Sequence, residues 1–441
     1  MRGAALSRTV LLTRQLVGAR GVTDGVVLNA LCSTRVRIVA DAANLASPNG
    51  QTLVATLAGQ ILAMGCTVRL DLPDVAVEGY QPPLIEKSLR SGLVSLAADL
   101  IPGQAIDESR QDSDHDHVFV IGDSQWRGHA RMAWRVGASR WRGWTAPIHS
   151  VVGRLDGDFP IGSLIAASVA APEAYKAAVR SLGVTVPVHP AIREQVAPVA
   201  AAAIALGDDD WPSGRLEIGC LDLISGGAIS HAALHALLRV PSVRAEARVL
   251  EPDRLDVSNL NRYPLARRSR VRNPKIDVLS EWSRPNFTIS GQSVRVDADS
   301  LNALRPLAEH VLVGVDHIPS RWVIQRGVPG WLGVGSTASF ITLTSEHDGI
   351  GGCAGCLHPC DDDVEAMIPT VSFVSYWAGL LVAVRLLRKA MGLGRDPARQ
   401  ALCLTPLRLD LQGSFRWQPV LISPRCPVGH AAPTGGATPV R

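Results

Sequence analysis

The sequence lacks several features that would assign it to a specialised class of protein. No charge of one sign dominates, because 44 Lys and Arg residues stand against 40 Asp and Glu residues, for a net charge of +4. This balance does not indicate nucleic-acid binding. No uninterrupted apolar run is long enough to span a membrane, since the best candidate, residues 373–387, contains Arg385. The sequence therefore predicts a soluble, cytoplasmic protein without a membrane partner.

Two further absences concern processing and disulfide bonds. The first 21 residues are basic and moderately apolar but lack the long apolar region of a signal peptide, so we expect them to belong to the folded protein. Eight cysteines in 441 residues do not form a disulfide framework. Three of them cluster within residues 353–360, which indicates metal or thiol chemistry in a reducing compartment.

The chain is long enough for two domains of ordinary size, and its first half has the order of an α/β domain. A buried strand is predicted at residues 35–41, followed by a turn, a helix at 53–64 and a strand at 66–72. Another strand is predicted at 117–122, and a helix at 163–182 follows Pro160. This order is typical of a right-handed parallel βαβ sheet.

The second half repeats this order. Its predicted elements are a strand that ends at 223–224, a glycine turn, a helix at 231–238, strands at 248–250 and 310–315, and a helix at 372–391 after Pro369. Helix breakers and charges at 197–214 favour a domain boundary. We therefore predict an α/β protein with two tandem Rossmann-like domains and mostly parallel sheets, residues 1–200 and 201–441. The alternative is a chance likeness of two unrelated α/β domains.

The turn after the first strand of the second half is a candidate phosphate-binding turn. In a Rossmann-like unit this turn holds phosphate with backbone N–H groups at a helix N-terminus. Ser225-Gly226-Gly227 stands there, and only Gly227 fits the GxGxxG pattern strictly. The next strand ends in Glu251, where an acidic residue is the expected partner of ribose hydroxyls. The turn alone is a weak signal for nucleotide.

A more specific group of polar residues follows. It contains amide, guanidinium, ammonium and carboxylate groups at strand ends, where open α/β sheets bind ligands. The group consists of Asp256, Ser258, Asn259, Arg262, Lys275 and Asp316, with SNLNR at 258–262 as its centre. The alternative is a polar turn with solvated charges around it.

These residues resemble the adenylation domain of ubiquitin-activating enzymes, in the ThiF/MoeB superfamily. They are equally similar to bacterial relatives that activate the sulfur-carrier proteins of thiamine and molybdopterin synthesis. The resemblance covers about residues 215–430 in order, and its SNLNR stretch is distinctive. The main departure is the loss of two glycines from the phosphate turn, for which we expect an altered affinity rather than inactivity.

The resemblance implies ATP and Mg²⁺ as cofactors and gives each residue a role. Glu251 would bind the ribose, although the family more often has Asp there. Asn259 and Arg262 would contact the triphosphate, Lys275 would neutralise charge in the transfer, and Asp316 would hold Mg²⁺. The implied nucleotide-binding residues are Gly226, Gly227, Glu251, Ser258, Asn259, Arg262, Lys275 and Asp316.

A structural zinc site is the second prediction for this half. Cys353 and Cys356 form a CxxC pair, and Cys426 and His430 lie 70 residues further on. Paired soft ligands at short spacing, joined by a distant second pair, are typical of tetrahedral zinc. For the fourth ligand, Cys360, His358 and His347 compete with His430. The alternative for the CxxC is a redox dithiol.

A thiol for a second step is the third prediction. By the resemblance, activators of this type move the adenylated C-terminus to a cysteine and form a thioester, and Cys360 lies where several relatives have that cysteine. The alternatives for Cys360 are a zinc ligand and an unreactive surface thiol.

The first half lacks the SNLNR, CxxC and glycine patterns, so we interpret it as a degenerate, inactive adenylation-like domain. Arg14 and Gln15 resemble the family's opening RQ helix, whose arginine reaches across an interface into the ATP site. Arg14 is therefore predicted as an arginine finger.

Together these patterns predict an enzyme that adenylates the C-terminal glycine of a ubiquitin-like protein and passes it on as a thioester to a conjugating enzyme. Bacterial operons of this type are associated with phage defence, which the resemblance alone implies. A homodimer is a further expected partnership. The alternatives are a sulfur-carrier-protein adenylyltransferase and a non-catalytic scaffold that binds leader peptides.

Overall fold

A computed structural model of the chain describes residues 1–18, 21–107, 117–186, 188–207, 211, 214–327, 330–361, 368–393 and 396–429. These residues form two sheets, each with helices packed on it.

The first sheet has seven strands in the order β3-β2-β1-β4-β5-β6-β7. The pairs from β3 to β5 are parallel, and β6 and β7 complete the sheet as antiparallel strands. The strands are β1 (Arg35–Val39), β2 (Thr67–Asp71), β3 (Ile106–Asp107), β4 (His117–Ile121), β5 (Met132–Ser139), β6 (Arg142–Pro147) and β7 (Ala202–Ala205).

The described residues before the second sheet form eight helices. They are α1 (Arg2–Ala5), α2 (Ser7–Val17), α3 (Asp24–Ser33), α4 (Ala42–Leu45), α5 (Pro48–Ala63), α6 (Leu89–Ala98), α7 (Ile161–Thr185) and α8 (Pro190–Gln195). Helix α5 begins cleanly because Ser47 accepts a hydrogen bond from the Gly50 N–H and proline occupies the first turn.

The second sheet has eight strands in the order β10-β9-β8-β11-β12-β13-β14-β15. The pairs from β10 to β12 are parallel, and the last three strands are antiparallel. The strands are β8 (Leu216–Ile224), β9 (Val243–Leu250), β10 (Phe287–Gln292), β11 (His310–Val313), β12 (Trp331–Ala338), β13 (Ile341–His347), β14 (Ala401–Leu404) and β15 (Phe415–Gln418).

The helices of this half are α9 (Ala228–Leu237), α10 (Lys275–Ser280), α11 (Ala298–Leu304), α12 (Ile318–Gly327), α13 (Ala354–Leu357) and α14 (Ser372–Ala390). Four short 3-10 helices accompany them, at Val257–Asn259, Arg268–Arg270, Pro397–Arg399 and Pro406–Arg408.

The prediction of two mostly parallel α/β sheets in tandem is confirmed. The order β2-β1-β4-β5-β6 in the first sheet recurs as β9-β8-β11-β12-β13 in the second. The antiparallel strands beyond β5 and β12 were not predicted. The predicted elements differ from the observed ones mainly at their ends, as β9 is eight residues long where only its last three were predicted.

The two halves are joined by a helical layer. Helix α7 packs on the first sheet, α14 packs on the second, and the two helices contact each other. The Trp377 indole N–H of α14 donates a hydrogen bond to the Ser168 carbonyl of α7 at 3.1 Å. A second connection comes from Arg239, which is buried and donates to the side chain of Gln81 and the carbonyl of Pro82. The halves therefore share buried contacts along their junction.

Within the part of the chain that the structure describes, no helix is long and apolar enough to cross a membrane.

Candidate active site

A cavity of about 1220 Å³ opens at the carboxyl ends of the parallel strands of the second sheet. Its lining includes seven of the eight predicted nucleotide-binding residues: Gly227, Glu251, Ser258, Asn259, Arg262, Lys275 and Asp316. Gly226, the eighth, lies beside the cavity without lining it. The volume is at the upper end for a small-molecule site. The sequence-predicted residues therefore converge on one site that is large enough for a nucleotide.

The SNLNR stretch forms one wall and is held in a fixed shape. Residues Val257–Asn259 make a single 3-10 turn, which Asp256 caps at its N-terminus. The Asn259 Oδ1 accepts a hydrogen bond from the Asp256 N–H at 2.9 Å. Among the described residues, the amide nitrogen of Asn259 has no hydrogen-bond partner, and the residue lines the cavity. This nitrogen is thus positioned as a donor to a bound anion.

Arg262 provides a buried positive charge at the same wall. Its Nη1 donates to the Ser258 carbonyl at 2.6 Å and to the Asn261 Oδ1 at 2.8 Å. Burial lowers the pKa of Arg262 to about 10, against the opposing effect of Tyr263. The guanidinium still carries its charge at neutral pH, and that charge is little screened by water.

Lys275 begins helix α10 and supplies a second cation. Its Nζ lies 3.0 Å from the Asp253 Oδ2 and 3.5 Å from the Glu251 Oε1. Burial alone would lower the pKa of Lys275, but Tyr263 and the two carboxylates outweigh burial and raise it. The ammonium group therefore remains charged beside the cavity.

The turn after β8 has an unusual conformation. Ser225 has a φ of 88°, which is strained for a residue with a side chain and stands where the glycine pattern would have Gly. The Gly226 N–H donates to the Glu251 Oε2 at 2.7 Å, and the Gly227 N–H donates to the Ser225 Oγ at 3.1 Å. Two N–H groups of the turn are thus bonded within the protein.

Asp316 lies at the opposite side, two residues beyond Gly314 at the end of β11, and its side chain is exposed to the cavity. Arg321 fixes the backbone before it by donating two hydrogen bonds to the Val315 carbonyl, at 3.1 and 2.8 Å. An accessible carboxylate on a fixed backbone suits a hard cation such as Mg²⁺.

The N-terminal helix α2 reaches this cavity with a different arginine from the one that the sequence analysis selected. Arg14 forms an exposed ion pair with Asp24 at 2.8 Å and does not line the cavity. Arg8 lines it, and its Nη1 donates to the Ile368 carbonyl at 3.0 Å. At 100° per residue the two positions point about 120° apart on the helix, so only one of them can face the site. Within this chain, Arg14 is therefore not at the site.

Asn261 connects the two halves, which the sequence analysis did not predict. Its amide nitrogen donates to the Thr9 Oγ1 at 2.9 Å and to the Thr370 carbonyl at 3.3 Å, and the residue is fully buried. The sequence signal was its place inside SNLNR, but its partner on α2 is 252 residues away. The bond ties the wall of the cavity to the helix that carries Arg8.

Three cysteines of the second half meet near the end of α12. The Cys353 Sγ lies 3.3 Å from the Cys426 Sγ and 3.8 Å from the Cys356 Sγ. Their sulfur atoms form a group that could hold a metal ion. His430, the predicted fourth ligand, lies outside the described residues.

The competing fourth ligands do not join this group among the described residues. His347 bonds to Ser345 and to the Gly352 carbonyl at 2.9 Å each. His358 lines the nucleotide cavity instead. Cys360 is an exposed thiol two residues further on, and it lines neither the cavity nor the cysteine group.

The corresponding strand end of the first half is filled. Asn44, fully buried in α4, lies with its Nδ2 within hydrogen-bond distance of Asp41, Asp123 and Ser124, at 2.7–3.0 Å. Its Oδ1 accepts from the Leu155 N–H at 3.0 Å. Hydrogen-bonded protein groups therefore close the strand end after β1.

The fold and the cavity together define an α/β protein whose candidate site combines two buried cations with an exposed carboxylate. Comparison with known proteins shows which proteins the chain is similar to. The family described as BilD N-terminal domain matches residues 35–186. A sulfur carrier protein adenylyltransferase from Thermus thermophilus is 28% identical over 245 residues, which cover 50% of this chain and 85% of the relative.

Solved structures with detectable similarity include two from E. coli. The crystal structure of MccB with ATP is 14% identical, with a TM-score of 0.41, and the match covers 67% of this chain and 97% of that chain. The tRNA N6-threonylcarbamoyladenosine dehydratase TcdA is 16% identical, with a TM-score of 0.31, over 39% of this chain and 86% of that one. The sequence similarity to an adenylyltransferase supports the resemblance that the SNLNR stretch indicated.

Proposed function

We propose that this chain uses ATP to adenylate the C-terminal glycine of a ubiquitin-like protein, with the chemistry in residues 201–441. One observation carries the proposal. Asn259, Arg262, Lys275 and Asp316 surround a single cavity that is large enough for a nucleotide. Adenylation needs this arrangement because a carboxylate and a triphosphate, both anionic, must be held together in line.

Each residue has a separate task in the proposed reaction. Asn259 and the buried Arg262 bind the triphosphate oxygens, and Asp316 holds Mg²⁺. Lys275 faces the negative charge that develops as the substrate carboxylate attacks the α-phosphorus and pyrophosphate leaves. Arg8, delivered from the first half, takes the place that the sequence analysis gave to Arg14, because it lines the cavity. Arg262, Lys275, Arg8 and the proposed Mg²⁺ ion would thus offset the negative charge of the transition state.

The first half, residues 1–200, is proposed to be a degenerate partner of the active half. Asn44 fills its strand end, and the carboxylates of Asp41 and Asp123 beside it would repel a phosphate. Its contribution is instead helix α2, which supplies Arg8 and holds Asn261 through Thr9.

The adenylate is proposed to pass to the thiol of Cys360. The thiolate attacks the carbonyl carbon of the mixed anhydride, a thioester forms and AMP leaves. Exposure of Cys360 and the position of His358 on the cavity wall, two residues earlier, support this step. A conjugating enzyme would then accept the thioester. A role in phage defence belongs to the same proposal and follows from the resemblance alone.

The three-cysteine group is proposed to bind a structural zinc ion, with His430 as the fourth ligand. The sulfur positions suit a closed tetrahedral site. The site lies against the segments 352–358 and 420–428, which it would hold together across the chain.

Two measurements on the full chain test the proposal. ATP–pyrophosphate exchange should depend on a ubiquitin-like protein with a C-terminal glycine and should be lost when that glycine is removed. A non-reducing gel should then show a conjugate that thiols cleave and that Cys360→Ala abolishes. No exchange with any ubiquitin-like protein would refute adenylation, and a conjugate that survives Cys360→Ala would refute the thiol assignment.

A sulfur-carrier-protein adenylyltransferase is the second candidate, because the Thermus thermophilus relative has that activity by name. It predicts exchange with a sulfur-carrier protein and no thioester at Cys360. The tandem arrangement of two sheets in one chain favours the first candidate.

A further inference from the structure

Glu251 is the residue that the family resemblance assigns to the ribose. Its carboxylate, however, already accepts hydrogen bonds from groups of the protein. The Oε2 accepts from the Gly226 N–H at 2.7 Å and from the Ser225 Oγ at 3.2 Å. The Oε1 accepts from the Asp253 N–H at 3.0 Å and lies 3.5 Å from the Lys275 Nζ. Three hydrogen bonds and one ion pair within the protein thus engage both oxygens of this carboxylate.

The burial of Glu251 leads to the same conclusion. The side chain is 4% exposed, and a Cβ added to Gly226 would meet its Cγ at 3.1 Å. Glutamate is one methylene longer than the aspartate that is usual in the family, and its carboxylate reaches back to the phosphate turn. There it holds Ser225, whose positive φ is unfavourable for a residue with a side chain. Glu251 therefore stabilises the shape of the turn.

Asp253, two residues further on, lines the same cavity and is far more accessible than Glu251. Its side chain is 66% exposed. The Oδ2 lies 3.0 Å from the Lys275 Nζ, and the Oδ1 has no hydrogen-bond partner among the residues that the structure describes. The residue also follows the end of β9, where the acidic partner of a ribose stands in Rossmann-like units.

We propose that Asp253 binds the ribose hydroxyls of ATP in this chain and that Glu251 is a positioning residue for the turn Ser225–Gly227. This inference rests on the proposed function, since it takes ATP to be the ligand of the cavity. A divalent cation is a poor alternative ligand for Asp253, because the Lys275 ammonium lies 3.0 Å from its carboxylate. A neutral hydroxyl donor meets no such repulsion.

The test compares the binding of ATP, 2′-deoxy-ATP and 3′-deoxy-ATP, each with Mg²⁺, by calorimetry on the full chain. Loss of a hydrogen bond to a charged group weakens binding roughly 10-fold or more, so the wild type should prefer ATP over at least one deoxy analogue by that factor. Asp253→Ala should reduce this preference to within about twofold. The variant should fold, since the side chain is mostly exposed.

Glu251→Gln is the matched variant. It should weaken all three nucleotides by a similar factor and keep the preference for ATP, because it perturbs the turn and leaves the Asp253 carboxylate in place. The inference is overturned if Asp253→Ala keeps the preference, if Glu251→Gln removes it, or if the wild type does not discriminate. If the wild type binds no ATP at all, the proposed function fails as well. If it binds ATP and one of the three outcomes above occurs, only the assignment of Asp253 and Glu251 fails.

Discussion

The two halves of the chain place very different groups at equivalent strand ends of their two sheets. After β8, a turn of small residues leaves a cavity of about 1220 Å³ with cations in its wall. After β1, helix α4 begins at once, and Asn44 fills the space. A Cβ added to Gly122 would meet the Asn44 Oδ1 at 2.1 Å, which shows how closely this site is packed. A shared sheet order therefore does not determine whether a nucleotide can enter.

The charges at the two strand ends also favour a nucleotide in the second half rather than in the first. Arg262 and Lys275 lie at the open site, whereas Asp41 and Asp123 lie beside Asn44 at the filled one. Positive charge attracts a triphosphate and negative charge repels it. Steric filling and charge thus act together in the first half, and four predictions test this contrast.

The largest effect is expected at Asp316, compared with Asp123 at the corresponding strand end of the first half. Asp316→Ala should lower the rate of ATP–pyrophosphate exchange by roughly 10²-fold or more, because the proposed Mg²⁺ ligand is lost. Asp123→Ala, its counterpart in the first half, should change that rate by less than about twofold. Equal losses in the two variants would mean that both halves take part in the chemistry.

The two arginines of α2 give the next largest effect. Arg8→Ala should lower the exchange rate by about 10²-fold, because a cation facing the cavity is removed. Arg14→Ala should leave the rate unchanged, since this side chain pairs with Asp24 at the surface. The reverse result would indicate that Arg14 acts on the site of a second copy of the chain.

The group of Cys353, Cys356 and Cys426 lies in the second half and should matter for stability. Cys353→Ser should release zinc, measured by elemental analysis, and lower the midpoint of thermal unfolding by about 5 °C or more. Cys360→Ser is the matched control and should keep both the zinc and the midpoint. Zinc loss from the control would make Cys360 a ligand.

The smallest effect on the exchange reaction is expected from two asparagines with different hydrogen-bond partners, Asn44 and Asn259. Asn44→Ala should lower the free energy of unfolding by about 2–4 kcal/mol, because it leaves the Leu155 N–H without a partner and removes the amide donor to Asp41 and Asp123. Asn259→Ala should cost only about 1 kcal/mol, as for a lost helix cap, and should raise the KM for ATP. Urea unfolding and exchange kinetics measure the two effects. An Asn259→Ala variant with an unchanged KM would remove Asn259 from the triphosphate site.

Much of this fold could be predicted from the sequence because its central strands are buried on both faces. Strands β4 and β11 are apolar after their first histidine, β1 has two arginines among apolar residues, and all three were predicted to within two residues. The antiparallel strands from β12 to β15 have alternating or short patterns that polar loops interrupt, so the hydrophobic pattern did not mark them.

The site was predictable where residue type alone carried the signal. The SNLNR stretch, Lys275 and Asp316 converge on the cavity as expected. Which arginine of α2 faces it depends on the rotation of a helix against the other half, which no local pattern encodes. The reach of Glu251 into the turn likewise depends on a side-chain conformation that only the packed structure gives.

The most direct measurement is the stoichiometry and location of ATP binding on the full chain, by calorimetry with Mg²⁺. The account predicts one ATP per chain, with binding lost in Arg262→Ala and kept in Asp123→Ala. Two ATP molecules per chain, or a single one whose binding depends on Asp123 and not on Arg262, would contradict it.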